Sequence, residues 1–186
     1  MVSLCATSST AVAGNSAADR PIVLVGFMAV GKSTIGKRLA EALGLDFIDS
    51  DKEIERDFAM SVSDVFARHG EPIFREAERH TIARLLNNGP SVLSVGGGAF
   101  IDPDTRAALK QGATVVWLDA PFDLIIERLR RSKRRPLAQG KPTEELLALW
   151  EERSRAYREA PVRVVTTDEP HDVAVATIIE ALNAHA

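Results

Sequence analysis

The sequence predicts an α/β fold of three layers, with a central five-stranded parallel sheet held between helices. Two observations carry this expectation. From Pro21 onward, strand-like and helix-like segments alternate, the pattern of βαβ units and therefore of parallel strands with helices on both faces. And the stretch GFMAVGKST, residues 26–34, directly follows the apolar run PIVLV, which sets a small-residue loop between a strand and a helix.

The first strand is read at 22–27, where β-branched and apolar residues suit a buried parallel strand. Gly26-x4-Gly31-Lys32-Ser33 behind it has the spacing of a phosphate-binding loop, GxxxxGK[ST], in the setting that motif requires. The loop opens a helix at 32–43, whose Ile35, Leu39 and Leu43 form one apolar stripe and whose end is marked by Gly44. Orphan N–H groups and the positive dipole end at that helix start attract an anion. Gly31 allows close approach of phosphate oxygens, Lys32 would bridge the β- and γ-phosphates, and the Ser33 hydroxyl would ligate Mg²⁺. The fold class is accordingly that of the P-loop NTPases, and the chain is expected to bind a nucleoside triphosphate.

Further strands are predicted at 46–51, 91–97, 114–120 and 162–167, with helices at about 51–69, 72–87, 103–110, 121–131, 143–158 and 172–184. Asp102-Pro103 and Thr143-Glu144-Glu145 read as helix starts and Gly112 as a stop. Residues 132–142, SKRRPLAQGKP, form the one long irregular stretch and are expected to act as a mobile lid spanning about 128–142.

Ligands of such sheets bind at the carboxyl ends of the strands, so the polar residues there are the candidates. The second strand ends in Asp49-Ser50-Asp51, two carboxylates whose spacing would project both to one side of an extended chain. One could hold a Mg²⁺ water and the other accept the proton of an attacking hydroxyl. Asp51 could equally be a helix cap, and Asp119, ending VVWLD, is a rival acid of Walker B type; spacing alone leaves this open. Gly96-Gly97-Gly98 ends the third strand, more glycines than a turn requires, exposing N–H groups to something that must come close. RLRRSKRR, residues 128–135, puts six positive charges in eight residues beside the lid, suited to clamping phosphate charge as the lid closes. Arg135, held extended before Pro136, is the best placed of them.

The 186-residue length suits one domain, 21–186, after an extension, 1–20, that is expected to be disordered. A net charge of −3 argues against a general nucleic-acid binder. One cysteine, Cys5, rules out an internal disulfide and a cysteine-based zinc site. No run of 18 apolar residues or secretory signal pattern is present, and a cytoplasmic location is expected.

Taken in order, GFMAVGKSTIGKRLA, FIDSD, DVFARHGEPIFREAE, SVGGGA and RRPL resemble the shikimate kinases, with the resemblance running from about Pro21 to the C-terminus. The resemblance implies MgATP-dependent phosphorylation of the 3-hydroxyl of shikimate. It implies nucleotide contacts from Gly31, Lys32, Ser33, Thr34, Ile35 and Gly36, with Arg128 on adenine and Arg135 as the lid arginine; Lys32, Asp51 and Arg135 would be catalytic. Asp51 would bind the shikimate hydroxyls and accept the proton, and Asp49 would join Ser33 at Mg²⁺. Arg75 and Arg153 would grip the carboxylate, Glu78 would orient Arg75, and Gly97 and Gly98 would offer N–H groups. Phe66 and Phe74 would either wall the site or serve as ordinary core. The expected partners are ATP and shikimate, with no nucleic acid, no membrane and no second subunit. In three respects the chain departs from the family pattern: Ala29 stands where the family loop has a second glycine, TTDEP (166–170) lacks an arginine often found near adenine, and the extension has no counterpart. Another small-molecule kinase of the same loop class and a non-catalytic nucleotide-binding module are the competing readings.

Overall fold

The protein is described by a computed structural model that covers residues 19–131 and 142–185. Five parallel strands form one sheet in the order β2-β3-β1-β4-β5. They are β1 (Ile22–Val25), β2 (Phe47–Asp49), β3 (Val92–Ser94), β4 (Thr114–Asp119) and β5 (Val162–Val165). The helices among the described residues are α1 (Lys32–Leu43), α2 (Ser50–Phe58), α3 (Val62–Leu86), α4 (Pro103–Gly112), α5 (Phe122–Arg131), α6 (Thr143–Tyr157) and α7 (His171–His185).

β1 is the axis of the sheet. It pairs with β3 on one side and β4 on the other, Val23 lying opposite both Leu93 and Val115. All four of its residues are buried, which is why the strand is apolar without alternation. β5, at the edge, alternates instead, turning Arg163 and Val165 outward. The chain runs from β1 to one side through β2 and β3, then crosses to the other through β4 and β5. The phosphate loop leaves the sheet beside that reversal, where a crevice opens at the strand ends.

Helix boundaries follow local chemistry. Gly44 ends α1 in the left-handed region, with Leu45 N–H closing on the Ala40 carbonyl at 2.9 Å. Asp102 caps α4 through the Thr105 N–H at 2.8 Å, with Pro103 just inside. α4 runs to Gly112 itself, two residues beyond the expected end. The helix expected at 51–69 is two helices. α2 stops at Ala59, which takes φ 52°, and Ser61 starts α3 by accepting the Asp64 N–H at 3.1 Å. α3 is in turn kinked at Gly70 (φ 81°, ψ 169°), two residues before Pro72, which has no N–H to continue the helical ladder and whose ring would clash with the carbonyl four residues back in an unbroken helix.

Two apolar clusters result. The large one fills the space around the sheet; the small one, Ile54, Val65 and Phe74 with Phe58, Met60, Val62 and Phe66 against it, holds α2 and the first part of α3 together. Phe66 and Phe74, 4.4 Å apart between ring centroids, belong to this small core. Gly36 sets how closely α1 lies on the sheet: a β-carbon there would come 2.5 Å from Phe47 Cε2 and 3.1 Å from Leu24 Cδ1. Replacing Gly36 with Ala is therefore expected to destabilise the fold by about 1–3 kcal/mol through overpacking, measured as a lowered thermal or urea midpoint. An unchanged midpoint would mean that α1 sits further from β2 than described.

Candidate active site

The phosphate loop is fixed from beneath by lack of space. Gly26 takes φ 143°, and a β-carbon on it would lie 2.3 Å from the Leu118 carbonyl oxygen, so no other residue fits there. Gly31 (φ 106°) caps α1 without any side-chain hydrogen bond, leaving the helix start open to an anion. Ala29 adopts φ 63°, so the loop keeps its left-handed turn without the family glycine, at a cost of about 1–2 kcal/mol. The Lys32 ammonium spans the loop, donating to the Gly26 carbonyl at 2.8 Å and the Phe27 carbonyl at 3.1 Å. Ser33 and Thr34 are exposed at the helix start, whereas Ile35 and Gly36 are buried and the Ile35 N–H is spent on the Gly31 carbonyl at 2.9 Å. The Thr34 N–H likewise turns to the Gly31 carbonyl, at 3.1 Å, and Ile35 and Gly36 seat α1 on the sheet directly behind the loop.

The acid pair is arranged differently from its expected form. Asp49, the last strand residue, is the helix cap, accepting the Asp51 N–H on Oδ1 at 3.1 Å. Its Oδ2 accepts the Ser33 hydroxyl at 2.8 Å. Asp51 lies in the first turn of α2, so it reaches the cleft from a helix and not by strand alternation. Asp119 is already engaged: Oδ1 accepts the Ala120 N–H at 2.9 Å, and Oδ2 accepts from Arg163 at 2.7 Å. Arg163 also stacks over Trp117, 4.8 Å from its centroid. These contacts commit Asp119 to tying β4 to β5.

The three glycines after β3 are the meeting point. A β-carbon on Gly96 would lie 2.8 Å from Glu78 Oε1 and 3.0 Å from Asp51 Oδ1. On Gly97 it would stand 3.4 Å from Arg153 Nη1, 3.5 Å from the Gly26 carbonyl oxygen and 3.7 Å from the Tyr157 hydroxyl, and on Gly98 it would come 2.6 Å from Arg75 Nη1. Residues from α2, α3 and α6 thus converge on one backbone stretch that adjoins the phosphate loop.

Arg75 is held by Glu78 at 2.7 Å and by Glu71 at 3.1 Å, with Phe74 beneath its guanidinium. Burial works against its charge, but these two carboxylates outweigh that and raise its pKa above the ordinary value. Glu78 is only 2% exposed, and its Oε1 is buried without a hydrogen-bond partner. Burial pushes its carboxyl above the usual range, Arg75 pulls it back, and Asp51 adds a further upward push. Arg153 lies over the Phe27 ring, 5.9 Å from its centroid.

Arg128 donates to the carbonyls of Val30, at 3.2 Å, and Thr167, at 2.7 Å. It joins the phosphate loop to the segment after β5, near which the resemblance puts adenine. Arg135 and the lid stretch 132–141 lie outside the described residues, as do residues 1–18 of the extension. Gly96 was read only as part of the three-glycine run, with no contact assigned to it alone, and Tyr157 was passed over although it follows Arg153 by four residues on α6, hence on the same helical face. Among the described residues no helix is long and apolar enough to cross a membrane.

A parallel sheet with a phosphate loop and a polar cleft beside it defines a P-loop kinase of small molecules. A model of the shikimate kinase family matches residues 28–183, and the chain belongs to that family. It is 51% identical to the shikimate kinase of Caulobacter vibrioides (strain NA1000 / CB15N) over 169 residues, 90% of this chain and 84% of the relative. The shikimate kinase from Acinetobacter baumannii in complex with shikimate superposes with a TM-score of 0.84 at 36% identity, covering 89% of this chain and 94% of that one. A gluconokinase from Sinorhizobium meliloti 1021, with a TM-score of 0.60 at 19% identity over 91% of this chain and 94% of that one, shares the fold alone.

The packing around Gly96 yields a specific expectation. Gly96→Ala has no backbone strain to contend with, yet its methyl group must displace Glu78 and Asp51 together. Turnover is expected to fall by about 10²-fold or more, the scale of misplacing a reacting group, with the nucleotide Kd little changed. Steady-state kinetics paired with nucleotide titration would check this; wild-type turnover would place the two carboxylates elsewhere.

Proposed function

We propose that this chain transfers the γ-phosphoryl group of ATP to the 3-hydroxyl of shikimate, giving shikimate 3-phosphate and ADP. The observation that carries the reading is the convergence of Asp51, Glu78, Arg75 and Arg153 on Gly96–Gly98, within reach of the Gly26 carbonyl of the phosphate loop. A ring bearing one carboxylate and several hydroxyls needs this set: two guanidiniums for its acid end, an anionic oxygen for a hydroxyl, and bare backbone where the ring must lie close.

Each residue then has a defined task. The N–H groups of Gly31, Lys32 and Ser33 would cradle the phosphates with the exposed Thr34 hydroxyl beside them, and Lys32 would exchange its two loop carbonyls for phosphate oxygens. Asp51 would accept the proton of the attacking hydroxyl and hold that oxygen in line. Arg75, oriented by Glu78, and Arg153 would take the carboxylate, fixing which hydroxyl faces the phosphate. Arg135 would close on the phosphate charge from the lid and Arg128 would contact adenine. Mg²⁺ suits the donors present: a hydroxyl and a carboxylate oxygen 2.8 Å apart at Ser33 and Asp49, both hard oxygen ligands. Mg²⁺ commonly keeps several waters and binds through one or two protein oxygens together with substrate phosphates. When bound, the ion would supply neutralisation of phosphate charge.

The direct test is coupled ADP release with shikimate present and absent. Shikimate-dependent release is expected, and release with another small alcohol but none with shikimate would overturn the reading. Asp51→Asn should lower kcat by about 10²–10⁴-fold with ATP binding nearly intact; normal turnover would remove Asp51 from the reaction. Arg75→Ala should raise the shikimate KM by roughly 10-fold or more, the scale of a hydrogen bond to a charged group, while the ATP KM moves far less. Equal effects on both substrates would argue against a carboxylate contact.

A further inference from the structure

Tyr157 is 1% exposed in the large core, yet its hydroxyl faces the acceptor side of the cleft. The hydroxyl donates to the Gly97 carbonyl. The Arg153 guanidinium, one turn earlier on α6, flanks the same spot: a β-carbon on Gly97 would lie 3.4 Å from its Nη1 and 3.7 Å from the Tyr157 hydroxyl. The ring has little room to turn away: Phe100 lies alongside, 6.3 Å between centroids at 25°, and Trp117 is 6.2 Å off. Burial pushes the phenol well above its ordinary pKa, so it keeps its proton and remains a donor. A phenylalanine would fill the same space without the cost of burying a hydroxyl, and the hydroxyl is retained only because it is bonded.

We infer that Tyr157 is a positioning residue for the acceptor: it fixes the Gly97 carbonyl and the Arg153 guanidinium in the orientation that the acceptor requires. The peptide plane supplies the mechanism. In a trans peptide the carbonyl of Gly97 and the N–H of Gly98 point in opposite directions, so holding the carbonyl on the buried phenol directs the Gly98 N–H away from it. The Arg153 guanidinium packs against the same glycine, so the anchored hydroxyl bounds the space in which that guanidinium lies. This rests on the reading of Gly97, Gly98 and Arg153 as acceptor contacts.

Tyr157→Phe keeps the ring and removes only the hydroxyl. The shikimate KM is expected to rise roughly fivefold, the scale of one net hydrogen bond, while the ATP KM stays within about twofold. A shikimate KM unchanged from wild type, or parallel changes in both KM values, would overturn the inference. Arg153→Ala separates the two levels of the argument. If it leaves the shikimate KM unaltered, the acceptor-site reading fails; if it raises that KM and Tyr157→Phe does not, only the role of Tyr157 fails. In the Arg153→Ala background, Tyr157→Phe should cost less than in the wild type, and full additivity would count against action through Arg153. Should Tyr157→Phe not fold, the chain's single tyrosine still gives a readout. Incorporated 3-fluorotyrosine labels this ring alone, and its ¹⁹F resonance should move on adding shikimate but not on adding ADP. A resonance indifferent to shikimate overturns the inference.

Discussion

The site depends on an empty volume: the three missing side chains after β3. Four charged residues from three helices approach Gly96–Gly98: a methyl group on Gly96 would press on Glu78 and Asp51, one on Gly98 would collide with Arg75, and Arg153 stands against Gly97. Backbone alone can occupy that position, because it contributes hydrogen-bonding groups while taking up the least room. The same stretch adjoins the Gly26 carbonyl, and Gly26 is itself pressed against the Leu118 carbonyl. Close backbone contact therefore runs from β4 through the phosphate loop to the end of β3, and the spacing between the two halves of the cleft is set by main-chain atoms that cannot change rotamer.

Around that backbone the charges are balanced pair by pair. Arg75 and Glu78 form a largely buried couple, and removing either would strand the other in a poorly solvated place. The couple brings little net stability, since desolvation offsets attraction. What it brings is direction, a guanidinium whose fork is held toward the glycines before any ligand arrives. Asp49 similarly serves two neighbours, capping α2 with one oxygen and accepting from Ser33 with the other. Asp119 shows the contrary case of a strand-end acid that looks available in sequence but has both oxygens occupied by Ala120 and Arg163.

The sheet, the loop and five of the helices were legible because their signals are local: a continuous apolar run, glycine and proline at the ends, a capping aspartate. The break at Ala59 was not, since an alanine in the left-handed region leaves no trace in composition; only Ser61 and Asp64, spaced as a cap and its partner, pointed to it. Asp49 and Asp51 stood out in the sequence, but their relation was misjudged, because strand alternation and a helix cap produce the same two-residue spacing. Arg75 and Arg153 carry no intrinsic mark, and they were reached through family resemblance alone. Tyr157 needed coordinates: its hydroxyl meets a carbonyl 60 positions away in the chain.

The kink at Gly70 and the small apolar cluster have a mechanical corollary. α3 is seated at one end in the sheet's core through Ile82 and Leu85, and at the other in the separate cluster through Phe74. Arg75 and Glu78 fall between those two anchorages, as Asp51 does on the neighbouring helix. The Arg75–Glu78 couple and the phosphate loop therefore rest on different foundations. Loosening Ile54, Val65 or Phe74 would slacken the couple while the loop, seated on β1, stood firm.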